Sequence, residues 1–196
     1  MTGERLELIK AITDLEHPEL RRDKNIDMIA LMKQMILKDL YSDSDIIETL
    51  HNPDLEAKNA PPEDYHNVNI FSYLKIPDTQ SIVKNFICFD ISDMNEVYNT
   101  SNFVERDVIF RAVSHEDDVK TEYGINRQDL LGMLIKDRMS WTNYMGMRLQ
   151  KEYDAGKVAE NGYYYRDIRF IIQAPNAMNQ KHYVSQFDRA RGIYGQ

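Results

Sequence analysis

The stretch that decides the fold runs from residue 103 to residue 175, where two strand patterns flank one helix pattern. Residues 106–113 read RDVIFRAV, and residues 163–173 read YYYRDIRFIIQ, with apolar and polar side chains alternating in the second segment. Between them, residues 126–139 read NRQDLLGMLIKDRM, in which four apolar side chains recur at helical spacing: Leu131, Leu134, Ile135 and Met139. Strand patterns on both sides of an amphipathic helix predict an α+β domain with the helix packed on one face of a sheet.

Further strand patterns lie on either side of this unit. Residues 69–76 and 83–91 precede it, and the second is almost continuously apolar, which is typical of a central strand. Residues 145–153 predict one more strand, and the turn residues at 154–156 and 161–162 predict a protruding hairpin loop over 154–162. We therefore expect a mixed, mostly antiparallel sheet of four or five strands.

The chain before residue 52 is predicted to be a small helical region. Apolar spacing favours short helices over 4–14 and 46–50, and a longer one follows Asn25, which we expect to cap it. Three further segments are predicted to follow it: a proline-rich connector over 53–66, the α+β domain over 67–175 and an extended docking arm over 176–196.

Composition excludes several classes of protein. With 196 residues and 42% hydrophobic side chains, the chain can build a substantial core. No run approaches the roughly 18 consecutive apolar residues of a membrane helix, and the first residues do not resemble a signal peptide. The single cysteine, Cys88, lies in an apolar run, which predicts a buried, reduced thiol and an intracellular place of assembly.

The net charge of −8 is concentrated at the front of the chain. Residues 1–66 carry 8 Lys and Arg against 15 Asp and Glu, whereas residues 67–196 carry 16 against 17. A protein that grips duplex DNA needs a basic surface to displace counterions, so this distribution argues against such a role. It is compatible with a surface that DNA passes without binding and, more simply, with a solvated helical face.

Residues 115–118, His-Glu-Asp-Asp, hold the best candidate for metal-assisted chemistry, since imidazole and carboxylates bind Mg²⁺, Mn²⁺ or Zn²⁺. Four adjacent side chains in a loop seldom converge on one ion, so a polar connection between strand and helix is the default interpretation. Ser114 with His115 and Asp117 meets the same objection as a nucleophilic triad. We predict no catalytic, metal-binding or cofactor-binding residue.

Aromatic and basic side chains near the end of the chain are the candidates for a contact surface, because tyrosine and arginine are enriched at interface cores. Tyr163 and Tyr165 are as readily core residues as interface anchors. The segment after residue 175 has no clean period and mixes aromatic and basic groups, which favours a docking arm over a nucleic-acid site. Its candidate contact residues are Lys181, Tyr183, Phe187, Arg189, Arg191 and Tyr194.

The element order resembles the neck proteins of tailed bacteriophages, in particular the tail-terminator-like fold. The residues that carry the resemblance are VKNFICFD at 83–90, RDVIFRAV at 106–113, GINRQDLL at 124–131 and the segment 163–175. The resemblance covers about 67–175, and the helical front and aromatic tail go beyond the minimal terminator pattern.

The resemblance implies a structural virion protein in the phage neck, assembled in the host cytoplasm, with no enzymatic activity and no membrane. It implies a homo-oligomeric ring, hexamer or dodecamer, that joins capsid and portal to tail and lets DNA pass without sequence-specific binding. The neighbours it implies are portal, adaptor, stopper or tail tube proteins, and terminator, stopper and adaptor stay open as roles. The alternative function is a small metal-dependent hydrolase or nuclease that uses the 115–118 loop.

Overall fold

In the computed structural model the chain is an α+β protein in which helices precede and interrupt a five-stranded sheet. The structure describes residues 3–21, 26–75, 84–93, 103–140, 143–144, 147–148, 150–158 and 162–175. The helices are α1 (Gly3–Thr13), α2 (Met28–Tyr41), α3 (Ser44–Leu50), α4 (Pro53–Glu56) and α5 (Arg127–Met139). The strands are β1 (Ile70–Phe71), β2 (Asn85–Asp93), β3 (Phe103–His115), β4 (Asn143–Tyr144), β5 (Met147–Arg148), β6 (Gln150–Val158) and β7 (Tyr163–Pro175).

The main sheet has the strand order β1-β2-β3-β7-β6, and every pairing in it is antiparallel except that of β1 with β2. β3 and β7 are paired along their whole length, from Phe103 opposite Pro175 to His115 opposite Tyr163. The predicted fold class, a mixed and mostly antiparallel sheet with a helix on one face, is confirmed.

One face of the sheet, here called the closed face, carries the main core. Side chains of α2, α3 and α5 pack against it and share one cluster with the strands. Phe110 lies at its centre, with its ring centroid 5.5 Å from that of Phe89 and 5.8 Å from that of Phe170. α2, α3 and the sheet therefore bury a common apolar surface, and Tyr65 from the proline-rich segment joins it.

Local capping explains where α2 and α3 begin. The Asp27 carboxylate accepts a hydrogen bond from the Ala30 amide at 3.0 Å, and Asp43 accepts from the amides of Asp45 and Ile46 at 3.1 and 3.2 Å. Each bond satisfies an amide that has no partner inside the helix. The predicted cap of α2 at Asn25 was therefore wrong by two residues.

The predicted hairpin loop over 154–162 was also wrong. β6 continues to Val158, and Asp154 and Ala155 pair with Ile168 and Asp167 of β7. Asp154 is fixed there by Arg166, which donates to it at 2.7 and 2.9 Å, so a tertiary contact overrides the local turn preference. The turn before β7 is at Gly162, whose φ is +76°.

Two further expectations need adjustment. A strand was predicted over 69–76, and of its described residues, 69–75, only Ile70–Phe71 pair with another strand. Leu134 of α5 is only partly buried against the core, whereas Leu131, Ile135 and Met139 of the same helix are fully buried. The free thiol of Cys88 is buried, as predicted.

Candidate functional site

Tyr163 and Tyr165, the two predicted contact residues that the structure describes, have different surroundings. The Tyr163 ring is 6% exposed and lies edge-on to His115, with 4.7 Å between centroids, so it belongs to a small second cluster with Phe86. Tyr165 is half-buried, and the Arg111 guanidinium lies 4.4 Å from its ring centroid. The six predicted residues of the C-terminal segment lie outside the described part of the chain.

Tyr165 lies on the open face of the sheet, the face opposite the helices. The second cluster lies at the β1–β2 corner of this open face. Among the residues that the structure describes, all of its members belong to strands. Residues that follow β1 cover part of this corner, where the Lys75 carbonyl lies 4.0 Å from the Cys88 sulfur. Burial raises the pKa of the Cys88 thiol, so the thiol is not activated for chemistry.

The rest of the open face, over β3, β7 and β6, is an array of paired charges. Arg111 donates to both carboxylate oxygens of Asp167, at 2.7 and 3.0 Å, and Lys157 lies 3.5 Å from the same carboxylate. The bidentate bond raises the pKa of Arg111, so its charge is fixed at all ordinary pH values.

A second pair continues the array along the same strands. Arg169 donates to Asp107 at 2.6 Å and lies 2.8 Å from a carboxylate oxygen of Glu152. Asp107 and Asp167 are buried beneath the arginines that they bind. The open face therefore presents planar guanidinium groups that are already bonded to carboxylates, and the ring of Tyr165 beside them. Guanidinium groups and tyrosine rings are suited to contact with another protein.

The loop at 115–118 does not bring its four side chains together. His115 accepts from the Asp117 amide at 3.3 Å, and Glu116 lies against Gly162. In the part of the chain that the structure describes, no three His, Cys, Asp or Glu side chains are placed to hold a metal ion. The acids of this loop have separate local roles.

Asp118 is the centre of a polar network that sequence reasoning missed. Its carboxylate accepts from His51 at 2.8 Å, from Asn85 at 2.6 Å and from Arg127 at 2.9 Å. Burial alone would raise the pKa of Asp118, but the hydrogen bonds from His51 and Asn85 and the charge of Arg127 outweigh it and lower the pKa. The network ties α3, β2 and α5 together at one end of the sheet.

The same network borders a cavity of about 500 Å³ that is lined by His51, Asn69, Lys84 and Asp117, among others. His51 and Asp118 have the geometry of a general base and the carboxylate that orients it. They are 67 residues apart in the chain, so no local motif could have revealed the pair.

The sequence pattern that defines the YomW family matches residues 36–172. The chain belongs to the YomW family. No curated protein sequence matches the chain. Among solved structures, the fold is similar to that of a chain from the "Virion of native gene transfer agent (GTA) particle", with a TM-score of 0.40 and 9% identity. That similarity covers 67% of this chain and 92% of the other chain.

The YomW match locates the shared part of the molecule. It begins within α2 and ends within β7, so it contains α3, α5 and the charge array of the open face. It leaves out α1 and the C-terminal segment. In the described residues of this YomW chain, no helix has the length and apolarity of a membrane span.

Proposed function

We propose that this protein is a structural component of a phage virion that assembles as a ring in the neck. The ring joins the capsid and portal to the tail and lets DNA pass through its centre. Terminator, head-closure and adaptor rings are all compatible with this role.

The element order of the fold carries the proposal. The long central strands β2 and β3 are followed by α5 and then by the β6–β7 hairpin, the order that the tail-terminator-like resemblance implies. The YomW family is phage-associated, which supports a virion role. The net negative charge of the front of the chain also suits a passage for DNA, because it repels the phosphate backbone.

The open face and the outer edge of β6 supply surfaces for a ring. A closed ring needs two different patches on each subunit that meet head to tail. In the described residues, β6 pairs with β7 alone, so its second edge is available for a neighbour, and the charge array lies beside it.

Electron microscopy of the purified full chain, together with labelled particles, tests the proposal. We expect rings with a central opening, and an antibody to the chain should label purified particles at the junction of capsid and tail. Particles that lack the chain would contradict the proposal, whatever oligomer the isolated protein forms.

A second candidate function is a hydrolase or nuclease in which His51, oriented by Asp118 beside the cavity, acts as a general base. Incubation with DNA and with generic phosphate and carboxylate esters, in Mg²⁺ or Mn²⁺, tests it. Turnover that disappears in His51→Ala would establish this function. The matched control is His66→Ala, which changes a histidine outside the Asp118 network.

A further inference from the structure

We propose that a groove beside α5 binds the C-terminal segment, residues 176–196, of a second copy of this chain. The inference rests on the multi-copy assembly proposed above and names the contact that would link neighbouring subunits. It concerns a surface remote from the charge array of the open face.

The α5 groove is a concave surface between α3 and α5. It has a volume of about 1150 Å³ and is bordered by α3, by the start of α5 and by the loop that precedes α5. Its apolar lining is unusually accessible, with Tyr123 66%, Met133 46% and Ile125 41% exposed. Leu130 and Leu134 line it as well, so an apolar strip runs along it. Exposed apolar side chains that are contiguous mark a surface for a partner.

The rim of the α5 groove is acidic. Asp45, Glu48, Glu56 and Glu122 line it, against the basic residues Lys120 and Arg127, of which Arg127 is paired with Asp118. None of the four acids forms an ion pair with another residue that the structure describes. Glu122, Glu48 and Asp45 line the groove together with Tyr123, and the hydrogen bond from Tyr123 to Glu122 and the charges of these three acids raise the pKa of Tyr123. A ligand for this groove should therefore combine apolar side chains with positive charge.

The C-terminal segment has that composition. It contains Tyr183, Phe187 and Tyr194, and its Lys181, Arg189 and Arg191 oppose the single acid Asp188. Aromatic side chains can cover the apolar strip while the basic groups pair with the rim. The described part of the open face is not an equivalent site for a basic segment, because the carboxylates of Asp107 and Asp167 there are already paired with basic groups.

Geometry favours a second copy over the segment's own chain. β7 ends at Pro175 beside Phe103, whereas the α5 groove lies near the opposite end of β3, past His115. A strand of 13 residues spans about 40 Å. The C-terminal segment, fully extended, reaches roughly 70 Å, so folding back to the groove of its own chain would use more than half of that length. An arm that leaves one end of a subunit and a groove at the other end form a head-to-tail contact, which is the kind that closes a ring.

Directed cross-linking of the full chain tests the proposal. The native Cys88 is buried, so introduced surface cysteines are the reactive thiols. Glu48→Cys in the groove is combined with Arg189→Cys or Arg191→Cys in the arm and treated with a short flexible bis-maleimide. The matched control places the first cysteine on the exposed residue Lys10 of α1 instead, Lys10→Cys, which lines neither the groove nor the edge of β6.

We expect a ladder of covalent dimers and larger products from the groove–arm pairs and at most a tenth of that yield from the control. Adding Asp45→Lys and Glu122→Lys should lower the ladder yield about tenfold, because two attractive contacts become repulsive. A product confined to single chains, or a yield no greater than that of the control, would overturn the proposal. If the same samples form rings, the proposed function stands although the groove–arm contact fails.

Discussion

The two faces of one sheet have opposite chemistry although the same strands supply both. On the closed face, Phe89, Phe110 and Phe170 are fully buried under the helices. On the open face, Arg111 and Asp167 form a hydrogen-bonded ion pair within reach of solvent. Because successive side chains of a strand point to opposite faces, each strand can serve stability on one side and contact on the other. The comparison assigns the free energy of folding mainly to the closed face.

The largest difference in stability is expected between alanine substitutions of two isoleucines in β7. Ile168 is fully buried on the closed face, and Ile171 is half-buried on the open face. Ile168→Ala should lower the free energy of unfolding by about 2–5 kcal/mol, through lost burial and the cavity left behind. Ile171→Ala should cost about 1 kcal/mol. Urea unfolding followed by circular dichroism measures both, and equal losses would break the distinction between the faces.

A smaller effect should come from the charge array. Asp167→Ala leaves Arg111 and Lys157 without their shared carboxylate and should cost about 2 kcal/mol, since a charged hydrogen-bonded group loses its partner. The control is Glu152→Ala, whose 42%-exposed side chain also pairs with an arginine of this face. We expect it to cost about 0–1 kcal/mol in the same unfolding assay. An Asp167 variant as stable as the wild type would show that this ion pair contributes nothing to folding.

Adding one methyl group at the contact between α5 and the closed face should lower the stability of the protein. A Cβ at Gly132 would lie 2.6 Å from Cδ of Arg166, which is held by Asp154 and by the Asp129 carbonyl. Gly132→Ala should therefore destabilise by about 1 kcal/mol net, although alanine favours helix. Gly156→Ala is the control, since nothing lies within 4 Å of its added Cβ. Thermal melts of the two variants should move in opposite directions, and a stabilised Gly132→Ala would mean that Arg166 is displaced at little cost.

Acidic pH should lower the free energy of unfolding through carboxylates with depressed pKa values, whereas the free energy of unfolding should not change near neutral pH. Hydrogen bonds from Arg166 and then Lys136 lower the pKa of Asp154 to about 2, against the opposing effect of burial. A carboxyl whose folded pKa is depressed stabilises the protein above its unfolded pKa, about 4, and loses that contribution as pH falls toward 2. Asp118, with its lowered pKa, acts in the same direction. In denaturant titrations from pH 6 to 2, Asp154→Asn should show a shallower loss than the wild type, and parallel curves would contradict the assignment.

Sequence alone determined the fold class and the sides of the sheet. The alternation in 163–173 and the apolar spacing in 126–139 fix which side chains turn inward, because both periods are set by backbone geometry. Together with RDVIFRAV at 106–113, they correctly predicted β3, α5 and β7, and the burial of Leu131, Ile135 and Met139, whereas Leu134 is only partly buried. The single cysteine was also correctly predicted to be buried.

Only the tertiary structure decided the length of β6, the Asp118 network and the α5 groove. The turn preference of Asp154 and Gly156 is weaker than the pairing of β6 with β7 and the hold of Arg166, so the strand continues where local chemistry predicts a loop. His51, Asn85 and Arg127 meet Asp118 from three distant parts of the chain. Periodicity says which way a side chain points, whereas contacts between remote elements depend on how those elements pack, which no local pattern encodes.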